Sequence, residues 1–165
     1  MEIFPQLTSL FALARPYLEK NDLGAAHTER VLKITQKHFQ IPSGLEELVY
    51  ATIILHDIGG SYIKDQYEKG PVIATKLLKT LKYNEKFIKE VCDIIIKHHD
   101  RYVSPSVPFK ILYDSDQLVK FTKEEFISYD SSRDFDWNKI IEKLYFYHSK
   151  KLAIKMWKEA TKVIN

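Results

Sequence analysis

The sequence predicts an all-α fold. Its 165 residues include only five Gly and six Pro, too few turn-formers for the hairpins of a β-rich protein. No segment alternates apolar and polar residues with a period of two, whereas apolar residues recur at three- and four-residue spacing along most of the chain. These observations give a bundle of about six to eight helices. One domain over residues 1–165 is long enough to bury a sizeable core.

A first helix is expected over about residues 6–20, because Leu7, Leu10, Phe11, Ala14 and Leu18 fall on one stripe. Asn21-Asp22-Leu23-Gly24 breaks it. A second runs from about Ala25 to Phe39, with His27, Val31 and Ile34 at inner-face spacing, and Ile41-Pro42-Ser43-Gly44 stops it. Ser43 is expected to cap the third helix, about residues 44–57, with Glu46 completing a capping box. This third helix carries the apolar run from Leu48 to Leu55 and ends in His56-Asp57. A loop with Gly59, Gly60 and Ser61 follows. Gly70-Pro71 then opens a fourth helix reaching about Leu81, Pro71 suiting its first turn. Asn84 caps a fifth, on which Phe87, Val91, Ile94, Ile95 and His98 share a face. The stretch from Arg101 to Pro108 reads as a loop, and a sixth helix covers about Phe109 to Phe121. After a polar segment through Asp136, two last helices run from about Trp137 to His148 and on to Val163.

Composition narrows the function. The net charge of +3 comes from 21 Lys and four Arg against 22 acids, and the Lys are scattered rather than gathered into the patch that nucleic-acid binding requires. No stretch approaches the roughly 20 apolar residues that span a bilayer. Met1-Glu2-Ile3-Phe4-Pro5 does not read as a secretory signal. Cys92 is the single cysteine, which rules out an internal disulfide and suits a reducing compartment; a cytoplasmic location is expected. The aromatic-rich segment from Tyr145 to Trp157 is read as core or dimer contact, which leaves a homodimer open.

The chemistry centres on His56-Asp57. Two ionisable side chains are delivered to the edge of a hydrophobic core, where an unpaired charge is costly. Metal binding is a usual reason to tolerate that cost. Six histidines are present (His27, His38, His56, His98, His99 and His148), and imidazole with carboxylate suits Zn, Mn, Fe, Ni, Co or Mg. His27 opens the second helix, His56-Asp57 ends the third, His98-His99 end the fifth, and Asp114 and Asp116 lie in the sixth. Candidate ligands thus come from four helices, as bundle-core metal sites require. Asp114 and Asp116 are two residues apart and point in different directions, so one of them faces the core. His38 and His148 are read as having no role.

The ordered pattern His27, His56-Asp57-Ile58-Gly59 and Ser115-Asp116-Gln117-Leu118 resembles the HD-domain superfamily of metal-dependent phosphohydrolases. The likeness covers about residues 20–120, with the helices at about 137–164 packing on that core. It implies that His27, His56, Asp57 and Asp116 hold one divalent cation, with Asp114 as the alternative last carboxylate. Some members hold two metals through a further His after the His-Asp loop and a His pair before the last aspartate; Tyr67 aligns at the first while His98-His99 remains, so one metal is expected and a second at His98-His99 is left open. The resemblance implies hydrolysis of a phosphate ester of a nucleotide or related metabolite by metal-activated water. Asp57 would take or orient the water's proton and His98 would contact phosphate or that water, while His99 is left without a firm role.

Arg30, three residues after His27 and on the same face, and Lys64, after the His-Asp loop, are candidate phosphate contacts. Arg30 has the alternative of pairing with an acid on a neighbouring helix. Gly60 stands where some family nucleotidases carry a Glu, which weakens a specific nucleotidase reading. The alternative function is a non-catalytic metal- or ligand-binding regulatory domain. Di-iron oxygenase chemistry is a third, which Tyr67 opposes. Expected partners are a small phosphorylated substrate rather than membrane or nucleic acid.

Overall fold

The computed structural model describes residues 5–100, 104–130 and 135–164. Residues 101–103 of the expected loop, 131–134 of the polar segment and the first four residues lie outside it. Among the described residues there are ten helices and no strand: α1 (Pro5–Leu18), α2 (Gly24–His38), α3 (Glu46–Leu55), α4 (Ile63–Glu68), α5 (Gly70–Thr80), α6 (Glu85–Ile95), α7 (Val107–Val119), α8 (Lys123–Asp130), α9 (Trp137–Lys143) and α10 (Tyr147–Ile164). None of them is long and apolar enough to cross a membrane.

The arrangement follows from how apolar each helix is around its circumference. α3 is apolar on every side, and Leu48, Val49, Ala51, Ile53, Ile54 and Leu55 are all buried. It accordingly lies in the middle, packed against α1, α2, α6 and α7. α6 has a single apolar stripe, Ile88, Val91, Ile94 and Ile95, and turns it inward. Leu7, Leu10, Phe11, Ala14 and Leu18 of α1 are buried as their spacing predicts. Asn84 caps α6 by accepting from the Phe87 N–H, and Pro71 sits in the first turn of α5.

Three local expectations are corrected. Ser43 does not cap α3, which starts at Glu46 after Leu45; the Glu46 carboxylate instead accepts from the Gly44 N–H at 2.7 Å. The helix count rises to ten because α4 and α8 form in segments read as loop and polar linker. Each is too short for periodicity to reveal. α8 is held by tertiary packing: Phe126 stacks on Trp137 at 4.5 Å between ring centres, and Trp137 contacts Phe121 at 4.8 Å.

α7 carries three consecutive polar residues that are all buried. Asp114 accepts from the N–H groups of Tyr145 (2.8 Å) and Phe146 (2.9 Å), just ahead of α10. It is fully buried. Ser115 meets the Thr35 hydroxyl of α2 at 2.8 Å. Asp116 faces His27. Asp114→Ala should therefore lower stability by about 1–3 kcal/mol, the cost of stranding buried donors. For a chain of this size that is a fall of about 2–12 °C in Tm. Metal content per folded chain should stay unchanged, as thermal melts and metal analysis on the same sample would show.

Candidate metal centre

The centre lies where the start of α2, the end of α3, the end of α6 and the last turns of α7 meet. α3 ends at Leu55, and His56, Asp57 and Ile58 continue as a tight turn, with Ile58 N–H bonding Leu55 O and Gly60 N–H bonding Asp57 O. Asn21 fixes this turn by donating to the Asp57 carbonyl at 2.8 Å. Gly59 is required because a Cβ there would lie 2.6 Å from both Asp65 O and Gln66 Cα, closer than atoms tolerate. The glycine lets α4 press directly on the turn.

The side chains converge as a metal site demands. His56 donates Nδ1–H to Ile53 O at 2.7 Å, which leaves its Nε2 lone pair facing inward. His27 offers Nδ1 to both oxygens of Glu125, at 3.0 and 3.2 Å, and turns Nε2 to Asp116 Oδ1 at 3.1 Å. His27 Nε2 and His56 Nε2 stand 3.3 Å apart. Asp57 Oδ2 is 3.3 Å from His56 Nε2 and 3.7 Å from His27 Nε2; Asp116 Oδ1 is 3.8 Å from His56 Nε2. Ligand atoms of His27, His56 and Asp57 all lie within 4.8 Å of one another.

His98 repeats the His56 arrangement at the end of α6. Its Nδ1–H donates to Ile95 O at 2.5 Å, and its Nε2 points at Asp57 Oδ1 from 3.3 Å. That nitrogen is buried and its contact with Asp57 lacks hydrogen-bond geometry.

Charges in the cluster shift one another strongly. Burial works against a charged imidazole, but hydrogen bonds to Asp116 and Glu125 override it and push His27 up to about 10. His56 is raised as well, burial again opposing and Asp57 prevailing. Burial would raise Asp57 and Asp116, yet the two lie below the usual carboxylate range, Asp57 because of His56 and Asp116 because of Lys120 and His27. His99 moves the other way, to about 4, through burial and then the neighbouring His98. Buried Asp116 and Glu125 and the half-buried Asp57 surround inward-facing imidazoles and call for positive charge. The donor set fits a divalent cation, with Glu125 and Ile53 O orienting the His ligands from behind.

A sequence model described as HD domain matches residues 24–162. The chain belongs to the HD domain family. This HD domain also resembles a crystal structure described as a predicted HD superfamily hydrolase, from an uncultured Thermotogales bacterium. The TM-score is 0.70 at 20% identity, covering 99% of this chain and 92% of that one, a likeness of fold. None of the curated proteins compared with the chain matches it. Family membership carries divalent-metal binding with it, and the cluster at His27, His56 and Asp57 is able to hold the ion.

The site residues read from the sequence distribute as follows. His27, His56, Asp57, His98 and Asp116 come together. Asp114 points away, to the start of α10. Arg30 stands behind His27, its Nε donating to Glu125 at 2.7 Å, the pairing with a neighbouring helix that the sequence left open. Lys64 is exposed on α4, and neither Arg30 nor Lys64 lines the cleft over the centre. Tyr67 donates to Asp100 at 3.2 Å, and the α4 side chain that reaches Asp57 is its neighbour Gln66.

Glu125, Gln66 and Lys120 are functional candidates that the sequence reading passed over. Lys120 had a signal, since it lies four residues after Asp116 and so on the same helical face. Glu125 had none: beside Glu124 it reads as a solvated acid, yet its exposure is 0%.

Proposed function

We propose that this HD domain is a metal-dependent phosphohydrolase acting on a phosphate ester of a nucleotide or related small metabolite, with one divalent cation held by His27, His56, Asp57 and Asp116. The observation that carries the reading is the convergence of these four side chains beneath an open cleft of about 340 Å³ that His27, Asp57 and Asp116 line, a volume in the range of small-molecule sites. A bound cation would supply an acidified water and neutralise a phosphoryl oxygen.

The rest is work for the chain's own groups. Asp57 Oδ1, in contact with His98 Nε2, is placed to accept a proton from the attacking water, and His98 to steady that proton. Lys120 lines the same cleft as His27, Asp57 and Asp116. Its Nζ donates to Gln117 at 2.8 Å and lies 5.5 Å from the Tyr129 ring centre. The Lys120 ammonium, near Asp116, is the group in this cleft best suited to draw in a phosphate, and Tyr129 offers a ring for a base or sugar.

The test is phosphate release from a panel of nucleotides and sugar phosphates by chain loaded with Mn²⁺ or Co²⁺. Release should vanish with chelator and return with metal. Lys120→Ala should raise KM about tenfold, the worth of one charge-assisted hydrogen bond, with kcat changed less. Bound cation without release on any ester would overturn the catalytic reading in favour of a regulatory metal-binding domain.

A further inference from the structure

Gln66 spends its whole amide on the centre. It is 6% exposed. Its Nε2 donates to Asp57 Oδ1 at 2.9 Å and to the Gly60 carbonyl at 2.8 Å, and its Oε1 accepts from His99 Nε2. Around it the ligand atoms of Asp57, His98 and His99 lie within 4.8 Å of one another. This second cluster shares Asp57 with the first. The two carboxylate oxygens divide accordingly: Oδ2 faces His56 and His27, while Oδ1 faces His98 and Gln66.

Two ligand clusters joined by one carboxylate would ordinarily invite two cations. We propose that Gln66 restricts this centre to one, by engaging with its amide the two atoms, Asp57 Oδ1 and His99 Nε2, that a second cation would take. The inference rests on the metal reading above and deepens it.

The physical grounds are three. A donor N–H on Oδ1 places positive dipole charge where a second cation would bind. His99 gives its Nε2 proton to Gln66 Oε1, whereas a metal ligand must present that nitrogen bare. The carboxamide also adds no negative charge, so Asp57 alone would have to serve two dications. His98, with Nδ1 fixed by Ile95 O, is ready as a ligand; His99 is not.

Equilibrium dialysis of the whole chain against Mn²⁺, with metal analysis and electron paramagnetic resonance, tests this directly. Wild type should hold one Mn²⁺ per chain with the signal of an isolated ion. Gln66→Glu removes the donor and adds a charge, and Gln66→His supplies a bare nitrogen. Either should raise the ratio to two and give the signal of a coupled pair. Circular dichroism checks that each variant folds, and if one does not, the other and the wild-type ratio decide. Two Mn²⁺ per wild-type chain overturns the inference while leaving metal binding at His27, His56, Asp57 and Asp116 intact, and a ratio of one in the folded variants likewise overturns only the inference. No Mn²⁺ in wild type removes the metal reading and the inference with it.

Discussion

Asp57→Asn should lower kcat/KM on any phosphate ester by about 10³-fold or more, because one substitution removes a metal ligand and the proton acceptor together. Asn keeps the side chain's shape and can still accept from Gln66, so the fold should survive. What is lost is the charge that Oδ2 shows to His56 and His27 and that Oδ1 shows to His98. Metal content should fall in parallel, measured on the same preparation after dialysis. Asp57→Ala should be at least as inactive, and less stable, since it also removes one of the two acceptors of the Gln66 amide N–H groups. Activity within tenfold of wild type in Asp57→Asn would sink the assignment of Asp57 to the chemistry.

Glu125→Ala should be the most destabilising single change near the site. The carboxylate is fully buried and joins the Arg30 Nε and the His27 Nδ1. Breaking a buried pair from one side leaves an uncompensated charge, at a cost of about 3–5 kcal/mol. In a chain of this length that is a drop of about 6–20 °C in Tm. Glu125→Gln should restore much of the stability while still weakening metal affinity about 10–100-fold, the usual effect of losing the group that orients a ligating His. A melt and a metal titration separate the two effects. If Glu125→Gln binds metal as tightly as wild type, Glu125 is structural and has no part in aiming His27.

The sequence carried the bundle and four of the side chains on the centre's floor, and the reason is physical. Long amphipathic helices reveal themselves by spacing, and His56-Asp57 at the end of an all-apolar run is conspicuous because burial makes it expensive. Gln66 was hidden by its chemistry, as an uncharged residue next to a more noticeable Tyr. Glu125 was hidden by context: only the stacking of Phe126 on Trp137, a contact between α8 and α9, brings it inward. Arg30 was left between a substrate phosphate and an acid on a neighbouring helix, because spacing gives a face and not a partner. The same limit applied to Asp114 and Asp116. Their spacing says that they diverge, and only the position of α10 says where the other one goes.

The three polar residues of α7 have a mechanical consequence. Asp114, Ser115 and Asp116 project about 100° apart around one helix axis, toward the start of α10, toward Thr35 and toward His27. A rod gripped from three directions cannot roll. The angle at which Asp116 meets the imidazoles is thereby fixed by contacts on the far sides of the helix. Trimming the Thr35 or Ser115 hydroxyl would loosen that grip without touching a ligand. Small changes remote from the centre can therefore tune it by rotation.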